Sequence, residues 1–149
     1  MDKIKIHDLT SIHLNSKINE LELVLKESLS AVADGDSKSS AGDKHETSVS
    51  MAQLEQEKLS NQLQGLIHLK HQLNTINPSV QHTIIQTGSL IETNNGWYYL
   101  SVAIGMVFVN DFKFYCISPD APISQLLKGK RVNEFVEFNK KKTTIKSIL

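Results

Sequence analysis

The feature that most constrains the fold is a repeat at helical spacing in the first half of the chain. Its positions advance in steps of four or three residues, the a and d spacing of a helix that buries one narrow seam. The first seam consists of Leu14, Ile18, Leu21, Leu25, Ser28 and Val32, and the second of Leu59, Leu63, Leu66, Leu69, Leu73 and Ile76. Two helices of similar length joined by a turn pack antiparallel, so this pattern predicts an antiparallel coiled-coil hairpin.

Local signals predict where the two helices end. Asp8 is a candidate N-cap for a first helix over about 8–33, and Gly35 offers that helix a left-handed end. The second helix is predicted to begin near Asp43 and to stop at Pro78, because proline cannot continue a helix.

The segment between the two helical patterns, residues 33–46, is polar and acidic. It holds four carboxylates, those of Asp34, Asp36, Asp43 and Glu46. A helical hairpin with such a tip can deliver carboxylates to a metal ion or to a basic cavity elsewhere. A solvated turn in which two of the acids cap helices accounts for the same residues, and the segment alone leaves both interpretations open.

The second half of the chain changes to strand spacing and contains every Phe, Trp and Tyr residue. Asn94-Asn95-Gly96 is a strong signal for a hairpin turn, and further turns are expected at Asn110-Asp111 and at 139–142. A short helix is predicted over Ile123–Leu127, closed by Gly129. The predicted strands are Thr83–Gln86, Ser89–Thr93, Trp97–Ile104, Val107–Val109, Phe112–Ser118, Phe135–Phe138 and Thr143–Ile148.

Charge also separates the two halves. Residues 1–80 hold 8 Lys and 11 Asp or Glu, a balance of −3, whereas residues 81–149 hold 8 Lys or Arg and 5 Asp or Glu, a balance of +3. We therefore predict an α+β protein with a coiled-coil arm over residues 1–77, its tip loop at 33–46, and a small antiparallel β domain over residues 78–149. The net charge of zero implies no bulk attraction to nucleic acid.

Three features of the sequence bear on the cellular compartment in which the protein is expected. No apolar run approaches the roughly 20 residues needed to span a bilayer, and the N-terminus lacks the apolar core of a signal peptide. The single cysteine, Cys116, excludes an internal disulfide and fits a reducing cytoplasm. Its apolar neighbours predict a buried thiol. We expect a cytoplasmic protein with no membrane partner.

A helical hairpin followed by a small β domain is an arrangement found in a known family, and three segments near the C-terminus carry the resemblance. They are Ile117-Ser118-Pro119, Ser124–Val132 and Glu134–Phe138. They resemble the Ser-Pro, short helix, Leu-Gly-Lys-Lys-Val-Gly-Asp and closing hairpin of the bacterial Gre transcript cleavage factors. Gly88-Ser89 and a strand ending at Ile104-Gly105 match the entry to the same domain, which in that family is FKBP-like. The likeness covers the whole chain in architecture and about 60 residues in recognisable motif.

The resemblance implies a transcription elongation regulator that binds RNA polymerase. In the family the β domain docks at the rim of the secondary channel, and the arm carries tip carboxylates to the polymerase active site. There they help to hold a second Mg²⁺ and an attacking water, so that the polymerase cleaves its own backtracked RNA. The expected partners are RNA polymerase directly and nascent RNA indirectly. The chain itself would be a monomeric accessory factor and not an enzyme, with no cofactor of its own and Mg²⁺ shared only within the complex.

The tip departs from the family pattern. Members active in cleavage carry Gly-Asp-Leu-Ser-Glu-Asn at the turn, and alignment on Gly35-Asp36 places Ser39 where the second carboxylate is expected. Asp36 is therefore the leading candidate for a catalytic carboxylate, with Asp34, Asp43 and Glu46 as possible substitutes.

The same resemblance assigns polymerase binding to a small C-terminal set of residues: Ser118, Pro119, Lys128, Lys130 and Arg131.

Two other classes of function stay open. The aromatic cluster that includes Trp97 and Tyr98 would suit an FKBP-like prolyl isomerase or chaperone, although alternating core aromatics explain it more simply. The leucine seam of the second helix would suit a coiled-coil interaction scaffold. No motif of an independent enzyme is present.

Overall fold

The computed structural model describes residues 1–36 and 42–149, apart from the side chains of residues 32, 34–36 and 42–46. Two N-terminal helices are followed by a six-stranded mixed sheet with one short helix, which confirms the predicted α+β class. The elements are α1 (Lys3–Asp36), α2 (Gly42–Asn74), β1 (Leu90–Thr93), β2 (Gly96–Leu100), β3 (Gly105–Val109), β4 (Phe112–Ile117), α3 (Pro122–Leu127), β5 (Phe135–Phe138) and β6 (Lys141–Ile148).

Both helices extend further into the segment 33–46 than the sequence predicts. α1 continues to Asp36 and α2 begins at Gly42, so most of the segment predicted as a loop over 33–46 is helical. The predicted cap is also wrong: the Asp2 carboxylate accepts the Ile4 backbone N–H at 2.9 Å, and Asp8 lies inside the helix. The Asp2 carboxylate, six residues earlier, satisfies a free N–H group of the first turn and lets the helix begin there.

Two compact units divide the chain. One consists of residues 15–68, and the other combines residues 1–14 with residues 69–149. The predicted boundary at residue 77 follows the change from helix to strand, whereas the compact units divide within both helices. The first turns of α1 and the last turns of α2 therefore belong with the sheet.

The unit of residues 15–68 buries the predicted seam. Ile18 and Leu59 are 8% and 9% exposed, and Leu21, Leu25, Leu63 and Leu66 are half-buried. The Gln56 side-chain amide donates to the Ser28 carbonyl oxygen at 3.4 Å, which links the two helices directly. The spacing of four and three residues thus marks the buried side of each helix, as predicted.

The sheet has the strand order β3-β4-β2-β1-β6-β5. Neighbouring strands are antiparallel except β2 and β4, which are parallel. The prediction of a purely antiparallel domain is therefore wrong at this pair. The reason is that β3 and β4 form a hairpin whose second strand, and not its first, pairs with β2, so β4 runs in the same direction as β2.

The predicted hairpin turns are present. Thr93 pairs with Gly96, which leaves Asn94-Asn95 as the two-residue connection between β1 and β2. Asn110 and Asp111 join β3 to β4 with φ values of 48° and 64°. Asparagine and aspartate tolerate this left-handed conformation. The run Thr83–Gln86, in contrast, forms no strand.

Both faces of the sheet are covered in part. On one face Ile91, Leu100 and Ile145 pack in a core cluster with Leu127 of α3. On the other face the first turns of α1 contact the sheet through His7, whose Nδ1 lies 2.7 Å from the Tyr99 hydroxyl, and through Thr10, whose Oγ1 lies 3.5 Å from the Cys116 Sγ.

Cys116 is a buried free thiol, as predicted. Burial raises its pKa to about 11, and the hydrogen bonds from Thr10 and Ser101 only partly oppose that shift. The sulfur is thus a neutral thiol at physiological pH and acts as part of the core.

Candidate partner-binding site

The predicted tip carboxylates lie at the ends of two consecutive helices. Asp34 and Asp36 are in the last turn of α1, and Asp43 and Glu46 are at the start of α2. Their side chains, together with residues 37–41, lie outside the described part of the chain. The grouping of these carboxylates at one point therefore stays a prediction.

The segment that follows β4 begins with Ser118 and Pro119, whose carbonyl oxygens anchor α3. The Ser118 carbonyl accepts the Ser124 hydroxyl at 2.6 Å and the Ala121 backbone N–H at 3.2 Å. The Pro119 carbonyl accepts the Gln125 side-chain amide at 3.2 Å. Ser124 is fully buried, so the hydrogen bond from its hydroxyl to the Ser118 carbonyl replaces the hydrogen bonds to water that the hydroxyl loses on burial. These two predicted binding residues thus fix the start of a short helix.

The basic residues Lys128, Lys130 and Arg131 follow α3, and backbone hydrogen bonds hold their segment to the domain. The Gly129 N–H donates to the Ile85 carbonyl, and the Ile85 N–H donates to the Lys130 carbonyl, both at 2.9 Å. Gly129 has a φ of +79°, a conformation that side chains disfavour. The backbone that carries the three cations is therefore fixed on both sides of Gly129.

The charges of this segment are partly paired. The Lys130 ammonium lies 3.8 Å from the Glu134 carboxylate, and the two side chains are 39% and 45% exposed. Glu134 also accepts the Arg131 backbone N–H. An exposed pair of this kind contributes only about 0.2–1 kcal/mol, so an acidic partner surface can compete for Lys130 at little cost. The Arg131 side chain is exposed.

The five predicted polymerase-binding residues therefore lie at the two ends of the same six-residue helix, α3. We call the segment Ser118–Arg131 the α3 platform. It presents a rigid backbone and up to three cations, the arrangement expected for contact with a carboxylate-bearing protein surface.

One buried and one half-buried basic group were not anticipated from the sequence. Lys3 is 3% exposed, and its ammonium donates to the Val80 carbonyl oxygen. Burial lowers the pKa of Lys3. Nearby, the His82 Nδ1 lies 2.8 Å from the Ser89 Oγ, and burial together with the Lys3 charge lowers the pKa of His82.

The signal for Lys3 was present in the sequence. Lys3, Ile6, Thr10 and Leu14 follow helical spacing and are all buried. This spacing extends the first seam toward the N-terminus. The extension is hard to recognise in the sequence, because lysine is a polar residue and is normally expected at the surface.

The aromatic residues are less uniformly buried than a core interpretation predicts. Tyr99 and Phe114 are fully buried, whereas Tyr98 and Tyr115 are half-buried and line a cavity. Alternation along β2 explains the difference, because Tyr98 and Tyr99 point to opposite faces of the sheet.

Comparison with family models, with curated proteins and with solved structures finds no match for this chain. Among the described residues, no three or more His, Cys, Asp or Glu side chains are grouped so that they could hold a metal ion. None of the helices, over the residues described, has the length and apolar character needed to cross a membrane.

Proposed function

We propose that this protein regulates transcription elongation by binding RNA polymerase. In this proposal the two long helices form a coiled coil that enters the secondary channel, and the sheet with α3 is an FKBP-like domain that docks at the rim. The protein acts in the cytoplasm as a monomeric accessory factor, and any RNA cleavage takes place in the polymerase active site.

The observation that most supports the proposal is the α3 platform. The residues that carry the family resemblance, from Ser118 to Arg131, are ordered by hydrogen bonds to Ile85, Ser124 and Gln125. A backbone that is already fixed loses little entropy on binding, and the cations it carries set the orientation of the partner. The platform is thus suited to dock an acidic partner surface in one orientation.

Charge reversal on the platform tests this docking. Arg131→Glu should weaken binding to core RNA polymerase at least about tenfold, because it replaces an attraction by a repulsion at the interface. The matched control is Lys146→Glu, which makes the same charge change at an exposed position on β6. Binding is measured by biolayer interferometry with immobilised polymerase, and equal affinities for the two variants would contradict the assignment of the platform.

In this proposal the tip carboxylates help to bind Mg²⁺ in the polymerase active site. Carboxylates are hard oxygen ligands that suit Mg²⁺, and two metal ions stabilise both the attacking and the leaving oxygen in phosphoryl transfer. Asp36 is the carboxylate proposed to act there, assisted by Asp34, Asp43 or Glu46. The serine at position 39 leaves one carboxylate fewer than the family pattern, so channel binding is the primary activity and cleavage the secondary one.

A stalled, backtracked elongation complex tests cleavage separately from binding. With Mg²⁺ present, the protein should shorten the labelled transcript, and Asp36→Ala should abolish the shortening while it retains affinity for polymerase. Asp8→Ala is the control, because Asp8 is an exposed acid inside α1. An unchanged transcript with the unaltered protein would eliminate the cleavage role and leave channel occupancy intact.

One observation favours a second candidate function, that of a coiled-coil scaffold. The unit of residues 15–68 exposes large apolar side chains, which are 46–68% accessible: Leu23, Val24, Leu29, Met51 and Leu54. Such side chains can pack against another helix. Sedimentation equilibrium distinguishes the two candidates: a self-associating species that Leu54→Glu converts to a monomer supports the scaffold, and a monomer at all concentrations supports the polymerase factor.

A further inference from the structure

A cavity of about 310 Å³ lies on the face of the sheet that carries α3. Its walls come from five elements: Tyr98 on β2, Tyr115 on β4, Ile123 on α3, Phe138 on β5, and Lys141 with Thr143 on β6. This volume is at the lower end of the range of about 300–1,000 Å³ for small-molecule sites. The cavity includes no residue of the basic cluster at Lys128–Arg131.

The floor of the cavity is a pair of stacked tyrosines. Tyr98 and Tyr115 are paired in the parallel register of β2 and β4, and their ring centroids lie 5.5 Å apart at an interplanar angle of 26°. Tyr98 and Ile123 pack against the core cluster, which keeps the floor rigid. Among the described residues, neither tyrosine hydroxyl makes a hydrogen bond within the protein, so both can bond to a ligand.

A single cation lies at the edge of the same cavity. Among the described residues that line it, only Lys141 carries a charge, and no carboxylate is present. Lys141 pairs with Phe138 across the β5–β6 turn, whose residues Asn139 and Lys140 have φ values of 51° and 62°. The Asn95 side-chain amide bonds to the Thr143 hydroxyl at 2.8 Å and holds the adjoining part of β6.

We propose that this cavity binds a nucleotide, with the base against the aromatic rings and the phosphate at Lys141. The three features needed are an aromatic ring face for stacking, free tyrosine hydroxyls that can bond to ribose or phosphate oxygens, and a cation without a competing acid. A nucleotide uses all three, whereas a neutral proline-containing peptide gives Lys141 no role. The base and phosphate can come from a free nucleotide or from single-stranded RNA. This inference does not rest on the proposed binding to polymerase.

Two titrations with the full-length protein test the site and identify the source of the nucleotide. A fluorescein-labelled oligoadenylate ten-mer is followed by anisotropy, and AMP is followed through the NMR signals of the Tyr98 and Tyr115 rings. We expect at least one of the two ligands to bind and to shift both ring signals. Tighter binding of the RNA identifies a strand as the ligand, and equal affinity identifies the free nucleotide.

Substitutions of residues that line the cavity test whether the nucleotide binds there. Lys141→Glu should weaken binding at least about tenfold, while Lys146→Glu, an exposed lysine on the same strand that does not line the cavity, should change it by less than about twofold. Tyr115→Leu keeps an apolar side chain but removes the ring, and should weaken binding by about 5- to 150-fold. Circular dichroism confirms that each variant is folded.

Three results would overturn the proposal. They are the absence of binding by both ligands at millimolar concentration, equal losses for Lys141→Glu and Lys146→Glu, and ring shifts produced by a succinyl-Ala-Pro peptide but not by either nucleotide. The last result would identify the cavity as a peptide site.

Discussion

Among the glycines whose surroundings the structure describes, Gly88 leaves the least room for an added side chain. Its φ is +90°, and a Cβ placed there would lie 3.0 Å from the Ile76 Cγ2. Gly88→Ala should therefore lower the free energy of unfolding by about 1–3 kcal/mol, through strain and crowding together. Urea denaturation followed by Trp97 fluorescence measures this loss.

Gly65 provides the matched control for that substitution. It lies inside α2, is exposed, and a Cβ added there would have no neighbouring atom within 4 Å. Gly65→Ala should stabilise the helix by about 0.5–1 kcal/mol, because alanine loses less backbone entropy on folding. A Gly88→Ala variant as stable as the unaltered protein would show that the turn accepts a side chain and would contradict the account of Gly88.

At the scale of elements, the packing of the first turns of α1 on the sheet depends on a neutral histidine. Burial lowers the pKa of His7 below its usual value of 6.5, although the Asp8 charge opposes the shift, and its Nδ1 contacts the Tyr99 hydroxyl. His82 also has a lowered pKa, caused by burial and by Lys3. The unfolded chain therefore binds more protons than the folded chain just below pH 6.5.

This difference predicts how stability depends on pH. The contribution of the two histidines should be complete above about pH 6.5 and should be lost as the pH falls from there through their lowered folded-state pKa values. Thermal unfolding between pH 7.5 and 5 measures the effect. His7→Gln should reduce the slope, and His71→Gln, at an exposed position on α2, should leave it unchanged. An unchanged slope in His7→Gln would show that His7 is not the titrating group.

The elements differ in how far the sequence predicts them. The buried seam and the Asn94-Asn95 turn were predictable, because helical spacing and turn-forming residues act locally. The start of α1 was missed, since Asp2 and Asp8 are equally good caps in the sequence, and the burial of Lys3 and Ile6, which favours the earlier cap, is known only from the fold. The parallel pairing of β2 with β4 was missed for a similar reason: strand order depends on contacts between distant residues.

The candidate site was predictable only in part. The resemblance predicted binding by Ser118, Pro119, Lys128, Lys130 and Arg131, which lie at the two ends of α3, and their binding role stays a prediction. The sequence allowed an aromatic pocket around Tyr98 but favoured core packing, and it gave no link to Lys141, because Tyr98, Tyr115 and Lys141 are far apart in the chain. Only the strand register brings them together. The four acids at the tip stay a prediction.

At the scale of the whole molecule, the central claim is that helices and sheet act together on one partner. The charge balance of −3 over residues 1–80 and +3 over residues 81–149 fits a division between a metal-directed tip and a docking domain. The proposed function needs both parts, because docking without a tip would leave the polymerase active site untouched and a tip without docking would not be oriented.

The measurement that tests this claim most directly is competition for core RNA polymerase. The full-length protein, labelled with a fluorophore, is titrated with core enzyme from the same cells, and a genuine Gre factor is then added as an unlabelled competitor. We predict saturable binding that the Gre factor displaces completely, because both proteins occupy the secondary channel. An absence of binding, or binding that the Gre factor leaves unchanged, would contradict the proposed function.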